Sequence, residues 1–368
     1  MGTNNSSMSR SWRRRVVALV VGATGALLIA ELALRLHNPL HATSRAHEIV
    51  LPLRKSFRTE LRGNPKLSPV VEVRYNSIGF RGPEPPPDFA QRTTIVTVGG
   101  STTECVGLTD GATWPDHVRR ILEPQVQGLW LDNAGFNGHS SYGHVVLVEK
   151  VLTRLRPDVA VFLVGVNDVE RGDLNDWDSS LDPSRASLCN RLIDASELLS
   201  TVQTIYRTMR AFDLGVHDEV SMDFAKLPAW DGPLRDRGQL EREHTGFLAT
   251  YRTRLEAIVA ACRGAGIRPV FSTQPALYGE AVDPTTGVDL GRRTYHGQRS
   301  ATEQWRILEL YNDVTRSVAK RNGIDLIDLA RELPKDSRYY NDWIHYSLEG
   351  AAVVGELIAA GLLPMLPH

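Results

Sequence analysis

Apolar and polar positions divide the chain into three stretches of different character. Val16 to Ala30 carries no charge, and the run reaches Leu36 once Glu31 and Arg35 are taken in. Those two stand four residues apart, where a helix brings opposite charges together. From Ile95 onward, short β-branched or apolar runs alternate with stretches whose apolar residues recur every three or four positions. That is the pattern of strands joined by helices. Between the two, residues 37–90 read as a linker and then an ordered lead-in. Its sequence VEVRYNSIGFRGPEPPP alternates as a strand, turns, and ends in prolines that cannot extend a strand.

The alternation predicts strands at Ile95–Val98, Leu129–Asn133, Asp158–Gly165, Arg268–Ser272 and Ile324–Ile327. Helices are expected over Ala112–Leu122, Tyr142–Leu155, Thr302–Arg321 and Leu348–Leu362, and within Ala186–Phe212 and Leu240–Gly264. Pro115 suits a first helical turn, and Pro157 marks an end. The third strand is apolar throughout, as a strand covered on both faces should be. The fold expected is a three-layer α/β/α sandwich around a flavodoxin-like, five-stranded parallel sheet, occupying residues 91–368. Asp213–Gly238 and Tyr278–Gln298 are long, polar and rich in Gly, Pro and Asp; they follow the third and fourth strands, where they would roof a cleft.

The N-terminal run changes this picture from a soluble domain to an anchored one. It is short for a span and about right for a signal-peptide core. However, AELALRLH after it offers no clean pair of small residues for cleavage. With Arg13, Arg14 and Arg15 held in the cytoplasm, residues 16–36 read as an uncleaved signal anchor, residues 1–15 as a cytoplasmic tail, and the rest as periplasmic or extracellular. The alternatives are secretion after cleavage, or a buried N-terminal helix, which three adjacent arginines disfavour.

Composition adds exclusions. A net charge of −1 with no basic stripe beyond the N-terminus argues against a nucleic-acid partner. Cys105, Cys189 and Cys262 have no metal-ligand spacing and read as buried thiols, leaving the redox compartment and the oligomeric state open. His139 and His144 lack a carboxylate placed to share a metal, and surface or loop positions are expected for both.

Four motifs carry candidate chemistry: GGST at Gly99–Thr102, NAGFNG at Asn133–Gly138, GVND at Gly165–Asp168 and DWIH at Asp342–His345. Three directly follow strands and the fourth precedes the last helix, so all fall on the carboxyl edge of one sheet, where open α/β folds bind ligands. A serine hydroxyl needs a base as it attacks. His345 is the candidate base for Ser101, and Asp342 the group that orients its ring. An oxyanion would need donors, for which the backbone N–H groups of Ser101 and Gly135 and the Asn167 amide are candidates. Gly100 and Asp168 are candidates for supporting the loops. Ser140, in GHSSYG, echoes a nucleophile elbow but lacks its second glycine, because Tyr142 stands there; a helix cap is expected instead. Trp114, Trp343, Tyr339 and Tyr340 are candidates to border the cleft, with plain packing as the alternative. Cys105 reads as a small residue packed on the sheet. Asn76, Gly79, Phe80 and Arg81 read as a turn beside the first strand, with a pocket lining as the alternative.

In this order the four motifs resemble the SGNH hydrolase superfamily, also called GDSL-like lipases and acylhydrolases, from about Ile95 to the C-terminus. The resemblance implies Ser101 as nucleophile, Gly135 and Asn167 as oxyanion donors, and Asp342 and His345 as the acid–base pair. It implies no metal or organic cofactor. One departure is Gly99-Gly100-Ser101 in place of Gly-Asp-Ser, which removes an acidic neighbour of the serine. The anchor followed by ELALRL, and the YNSIGFRG lead-in, are similar to bacterial membrane-anchored members. The activity expected is ester hydrolysis through an acyl-enzyme, on an O-acylated carbohydrate or lipid outside the cytoplasm. An O-acyltransferase with the same residues, and a non-catalytic membrane-tethered binding protein, are the rivals.

Overall fold

Residues with branched or apolar side chains form strands and stop where glycine or a polar turn begins, and five such runs make one sheet. The computed structural model describes residues 5–36, 51–61, 63–171 and 222–367, with short pieces at 44–45, 48–49, 192–193, 195–203 and 205. In the lead-in, Ser56–Glu60 (β1) pairs antiparallel with Val70–Arg74 (β2). The sheet comprises Thr93–Gly99 (β3), Leu129–Gly135 (β4), Val159–Val164 (β5), Arg268–Thr273 (β6) and Asp325–Ile327. The last is β9, because the two-residue strands Thr294–Tyr295 (β7) and Arg299–Ser300 (β8) precede it. All neighbours run parallel, in the order β9-β6-β5-β3-β4. The expected five-stranded α/β sheet is therefore present.

The two-residue period of the strands sorts their side chains into two cores. Ile95, Leu131, Val161, Leu163 and Val270 face Trp114–Leu122 (α3) and Leu348–Leu362 (α7). Val96, Val98, Ala134, Phe162 and Phe271 face the other layer. That layer consists of Ser141–Leu147 (α4), Arg237–Gly264 (α5) and Ala301–Asn322 (α6). The single turn Ser101–Glu104 (α2) and the N-terminal helix Asn5–Leu36 (α1) complete the numbering.

Caps explain where helix boundaries depart from expectation. α3 starts at Trp114 because Thr113 and Asp116 form a capping box. α5 starts at Arg237, ahead of Leu240, because the Asp236 carboxylate accepts from Gln239 N–H. α4 continues through a wider turn at Val148–Leu152 to Leu155, and Arg156 leaves the helix in a left-handed conformation before Pro157. The lead-in turn packs beside β4 at the sheet edge rather than beside β3: Arg81 N–H donates to Asn133 O at 2.8 Å. Tyr278–Gln298 is an ordered segment with Tyr278, Val288 and Leu290 buried. Cys189, most of Ala186–Phe212 and residues 213–221 lie outside the described residues.

The strand registers place Gly99 opposite both Gly135 and Leu163, and Leu163 opposite Ser272. The residues that follow these positions emerge along one edge, and the motifs meet there. At the other end of the chain, Trp12–Leu36 is long and apolar enough to cross a membrane and stays wholly outside the packed core, as fits a signal anchor or a single span. Leu348–Met365 passes the same length and composition test, but α7 is a helix of the domain core, packed on α3.

Candidate active site

The serine stands on a turn held by hydrogen bonds from several distant parts of the chain. Thr103 N–H and Glu104 N–H donate to Gly100 O, and Cys105 closes the turn with φ 58°. Four successive carbonyls then meet four different donors. Ser101 O accepts from Cys105 N–H, Thr102 O from the Trp114 indole at 3.0 Å, Thr103 O from the Asn133 amide at 2.8 Å, and Glu104 O from Arg81 at 2.6 Å. Satisfying a short helix's orphan carbonyls in this way removes its freedom to fray. The Thr102 hydroxyl adds a link to Gln274 Oε1 at 3.3 Å. The departure from Gly-Asp-Ser has a steric reason here. A Cβ at Gly100 would lie 2.3 Å from Asn167 Nδ2 and 3.0 Å from His139 O, so the neighbouring loops occupy that space.

Arg81 is the residue that sequence reasoning underrated. Its guanidinium, buried beneath the turn, also donates to Leu108 O and pairs with Asp110 Oδ1 at 2.9 Å. Tyr75, from the same lead-in, donates its hydroxyl to Glu104 Oε1 at 2.7 Å. The signal was present in YNSIGFRG, but a turn and a clamp look alike in sequence.

On the opposite side, the loop before α7 folds around Asp342. Its Oδ1 accepts the N–H groups of Ile344 and His345, each at 2.8 Å, and its Oδ2 accepts from His345 Nδ1 at 2.7 Å. His345 Nε2 lies 2.7 Å from Ser101 Oγ. With Nδ1 protonated towards the carboxylate, Nε2 is the acceptor for the serine proton. Burial pushes the Asp342 carboxyl up, but the His345 charge and the hydrogen bonds from His345 and Ile344 outweigh it and hold it below the ordinary range. Lys66 fastens this loop from the lead-in, donating to Ser337 O at 2.8 Å and Tyr340 O at 3.1 Å, while the Asn64 amide donates to Asn341 Oδ1.

Asn167 and Gly100 sit together, and the Asn167 amide donates one N–H to His139 O at 2.9 Å. Asp168 turns inward as a loop support. It accepts from the Ser141 N–H and hydroxyl and from Arg254 at 3.2 Å, and the Arg254 guanidinium stacks 3.7 Å over the Tyr142 ring. Ser140 caps α4 through Tyr142 N–H, as expected of it.

Gly135 departs from its expected place. Its N–H already donates to Asn133 Oδ1 at 2.8 Å, and a Cβ there would lie 2.3 Å from Glu104 N. It is the point where β4 passes close behind α2, a packing position. Gly138, three residues on, has open space around its α-carbon. Two aromatic expectations also change: Trp114 and Tyr340 are fully buried, so neither borders a cleft. Trp343 packs among Phe224, Tyr278 and Tyr295, while Tyr339 remains half-buried. His139 and His144 are buried rather than at the surface, and burial holds the His139 imidazole down to about 4. Among the described residues, no group of three His, Cys, Asp or Glu side chains is gathered to hold a metal ion. Cys105 is buried, as expected.

The profile of the GDSL-like Lipase/Acylhydrolase family matches residues 97–353, and the chain belongs to that family. It is accordingly an ester-hydrolysing enzyme. Solved structures similar to it include an acetyl xylan esterase, AlAXEase, at 16% identity and TM-score 0.40, covering 73% of this chain and 98% of that one. A lipase/acylhydrolase from Enterococcus faecalis is similar at 16% identity and TM-score 0.42, over 74% and 97% of the two chains. The psychrotrophic esterase EstA from Pseudoalteromonas sp. is similar at 12% identity and TM-score 0.42, over 74% and 98%. No curated protein matches the sequence.

Proposed function

We propose that the protein hydrolyses its ester through an acyl-enzyme on Ser101, with His345 as general base and acid and Asp342 as the group that orients and charges it. The observation that carries this reading is the continuous hydrogen-bonded path from Ser101 Oγ to His345 Nε2, and from His345 Nδ1 to Asp342 Oδ2. As Oγ attacks the carbonyl carbon, its proton passes to Nε2. The imidazolium that results is stabilised by a carboxylate already held in its ionised form. Collapse of the tetrahedral intermediate returns that proton to the leaving alkoxide, releasing the alcohol. Water then repeats the sequence on the acyl-enzyme, giving the carboxylic acid and free Ser101.

The oxyanion needs donors fixed before the reaction. We assign this role to the backbone N–H of Ser101, the second N–H of the Asn167 amide and the backbone N–H of Gly138. Gly138 replaces Gly135 because the Gly135 N–H is already engaged by Asn133 Oδ1 and the residue's Cβ side packs on α2. The substrate class proposed is an O-acylated carbohydrate or lipid outside the cytoplasm, which rests on reading α1 as an anchor with its arginines inside.

Purified full-length protein in detergent is expected to hydrolyse a short-chain aryl acetate. Ser101→Ala and His345→Ala should each lose on the order of ten-thousand- to million-fold in turnover, the scale for such residues in serine hydrolases. Equal rates for wild type and Ser101→Ala would refute the mechanism. Product that forms only when an alcohol or sugar acceptor is added would make the enzyme a transferase.

A further inference from the structure

The helical stretch around 195–205 touches the N-terminal helix, and five of its side chains are placed the wrong way round for a soluble helix. Ser200 and Thr201 are 7% and 8% exposed, whereas Leu199, Val202 and Ile205 are 44%, 55% and 43% exposed. Water favours the reverse, with small polar residues outside and large apolar ones inside. α1 shows the same outward apolar surface, with Leu27, Leu28 and Ile29 more than half exposed.

The two apolar surfaces are joined by specific bonds. The Glu31 carboxylate of α1 accepts from the Ser196 hydroxyl at 2.7 Å, and from the Glu197 and Leu198 N–H groups, each at 3.0 Å. These are the orphan donors at the start of the helical stretch around 197–203, so a side chain of one helix caps another. Arg35 pairs with Glu31 at 2.8 Å and donates to Ala195 O at 2.7 Å. At 1.5 Å per residue, Glu31 stands about 24 Å along the helix from Arg15. A hydrocarbon core is about 30 Å thick, so a carboxylate at that depth is costly unless it is paired and hydrogen-bonded. Glu31 is both.

We propose that the described residues within 192–205 form a second membrane-contacting element, seated in the outer part of the bilayer beside α1 and fastened to it by Glu31 and Arg35, with Leu199, Val202 and Ile205 against lipid. The occupant of this face is the acyl-chain region of the membrane that holds α1, because the clasp that ties the element to α1 lies at membrane depth. The inference rests on reading α1 as a spanning anchor.

The test uses the full chain with Cys189→Ser, reconstituted in phosphatidylcholine vesicles with and without brominated acyl chains. Single cysteines replace Leu199, Val202, Leu27 in α1, or Glu241 on exposed α5, and each is labelled with an environment-sensitive fluorophore. Brominated lipid is expected to quench the labels at 199 and 202 as strongly as at 27, and several-fold more than at 241. Quenching at 27 alone would overturn the proposal while leaving the anchor intact, and loss at all positions would overturn both. Protection of 199 and 202 from aqueous iodide without lipid quenching would mean that another part of the chain or a second copy covers the face, and would also overturn it. Glu31→Ala should lower quenching at 202 but not at 27; an unchanged signal at 202 would refute the clasp.

Discussion

At the scale of single residues, the site is defined by which polar atoms are already spoken for. Asp342 uses one carboxylate oxygen to hold its own loop and the other to hold His345. Asp342→Asn keeps the shape but presents an amide to Nδ1 and favours the wrong tautomer. Turnover is expected to fall on the order of ten-thousand-fold, the scale measured for that change in another serine hydrolase. A variant with near wild-type kcat on aryl acetate would show that His345 needs no such partner. Asn167→Ala should cost roughly a hundred- to a thousand-fold in kcat, the scale for one oxyanion donor. Part of that loss would come from the unfilled contact with His139 O, and a thermal melt run beside the kinetics separates the two.

At the scale of elements, the lead-in is part of the machinery. Arg81 supplies donors to Glu104 O and Leu108 O from beneath the serine turn. Arg81→Met takes the donor from both carbonyls, while Asp110 keeps Arg74. It should destabilise the fold by about 2 kcal/mol, the scale for leaving buried acceptors unsatisfied. Because Arg81 acts through α2, kcat should fall while KM stays near its original value, and Arg81→Lys should restore part of the rate. A purely structural role would lower the melting temperature with kcat unchanged. A second clamp joins the segment after β6 to the loop before α7. Lys335 donates to Ala276 O and Tyr278 O, with its ammonium over the Trp305 ring. Burial pulls this ammonium down to about 7. Between pH 7 and about 10.4 the unfolded chain keeps a proton that the folded chain releases, so this group makes stability rise with pH across that window. Lys335→Met abolishes the effect. Its melting temperature relative to wild type should therefore decline as pH is raised from 6.5 to 9.5, and a constant difference would count against the shift.

At the scale of the whole molecule, the enzyme is a layered α/β domain to which an apolar helix is joined through polar contacts. α1 contributes nothing to either core, since its apolar stretch is wholly unburied. A fragment comprising residues 45–368 should consequently fold and hydrolyse aryl acetate at a rate close to that of the full chain. Loss of activity in a folded fragment would show that α1 shapes the site as well as its location.

What could be read from the sequence was whatever depends on neighbours in the chain. The period-two runs, the glycines at the strand ends and the Ser or Thr caps are local choices, so the five strands, their parallel arrangement and the motifs on one edge were all legible. The pairing of Ser101 with His345 and Asp342 was legible as well, because parallel strands must end on the same side. What only the tertiary structure decided were directions and partners in space. The sequence could not tell that the Gly135 N–H is already taken, because the Asn133 side chain two residues back captures it. Nor could it tell that Trp114 and Tyr340 turn inward, or that Arg81 reaches across β4 to the serine turn. The outward Leu199 and Val202 follow from the same cause. A helical period reports that two faces differ, whereas the medium each face meets is set by what folds against it.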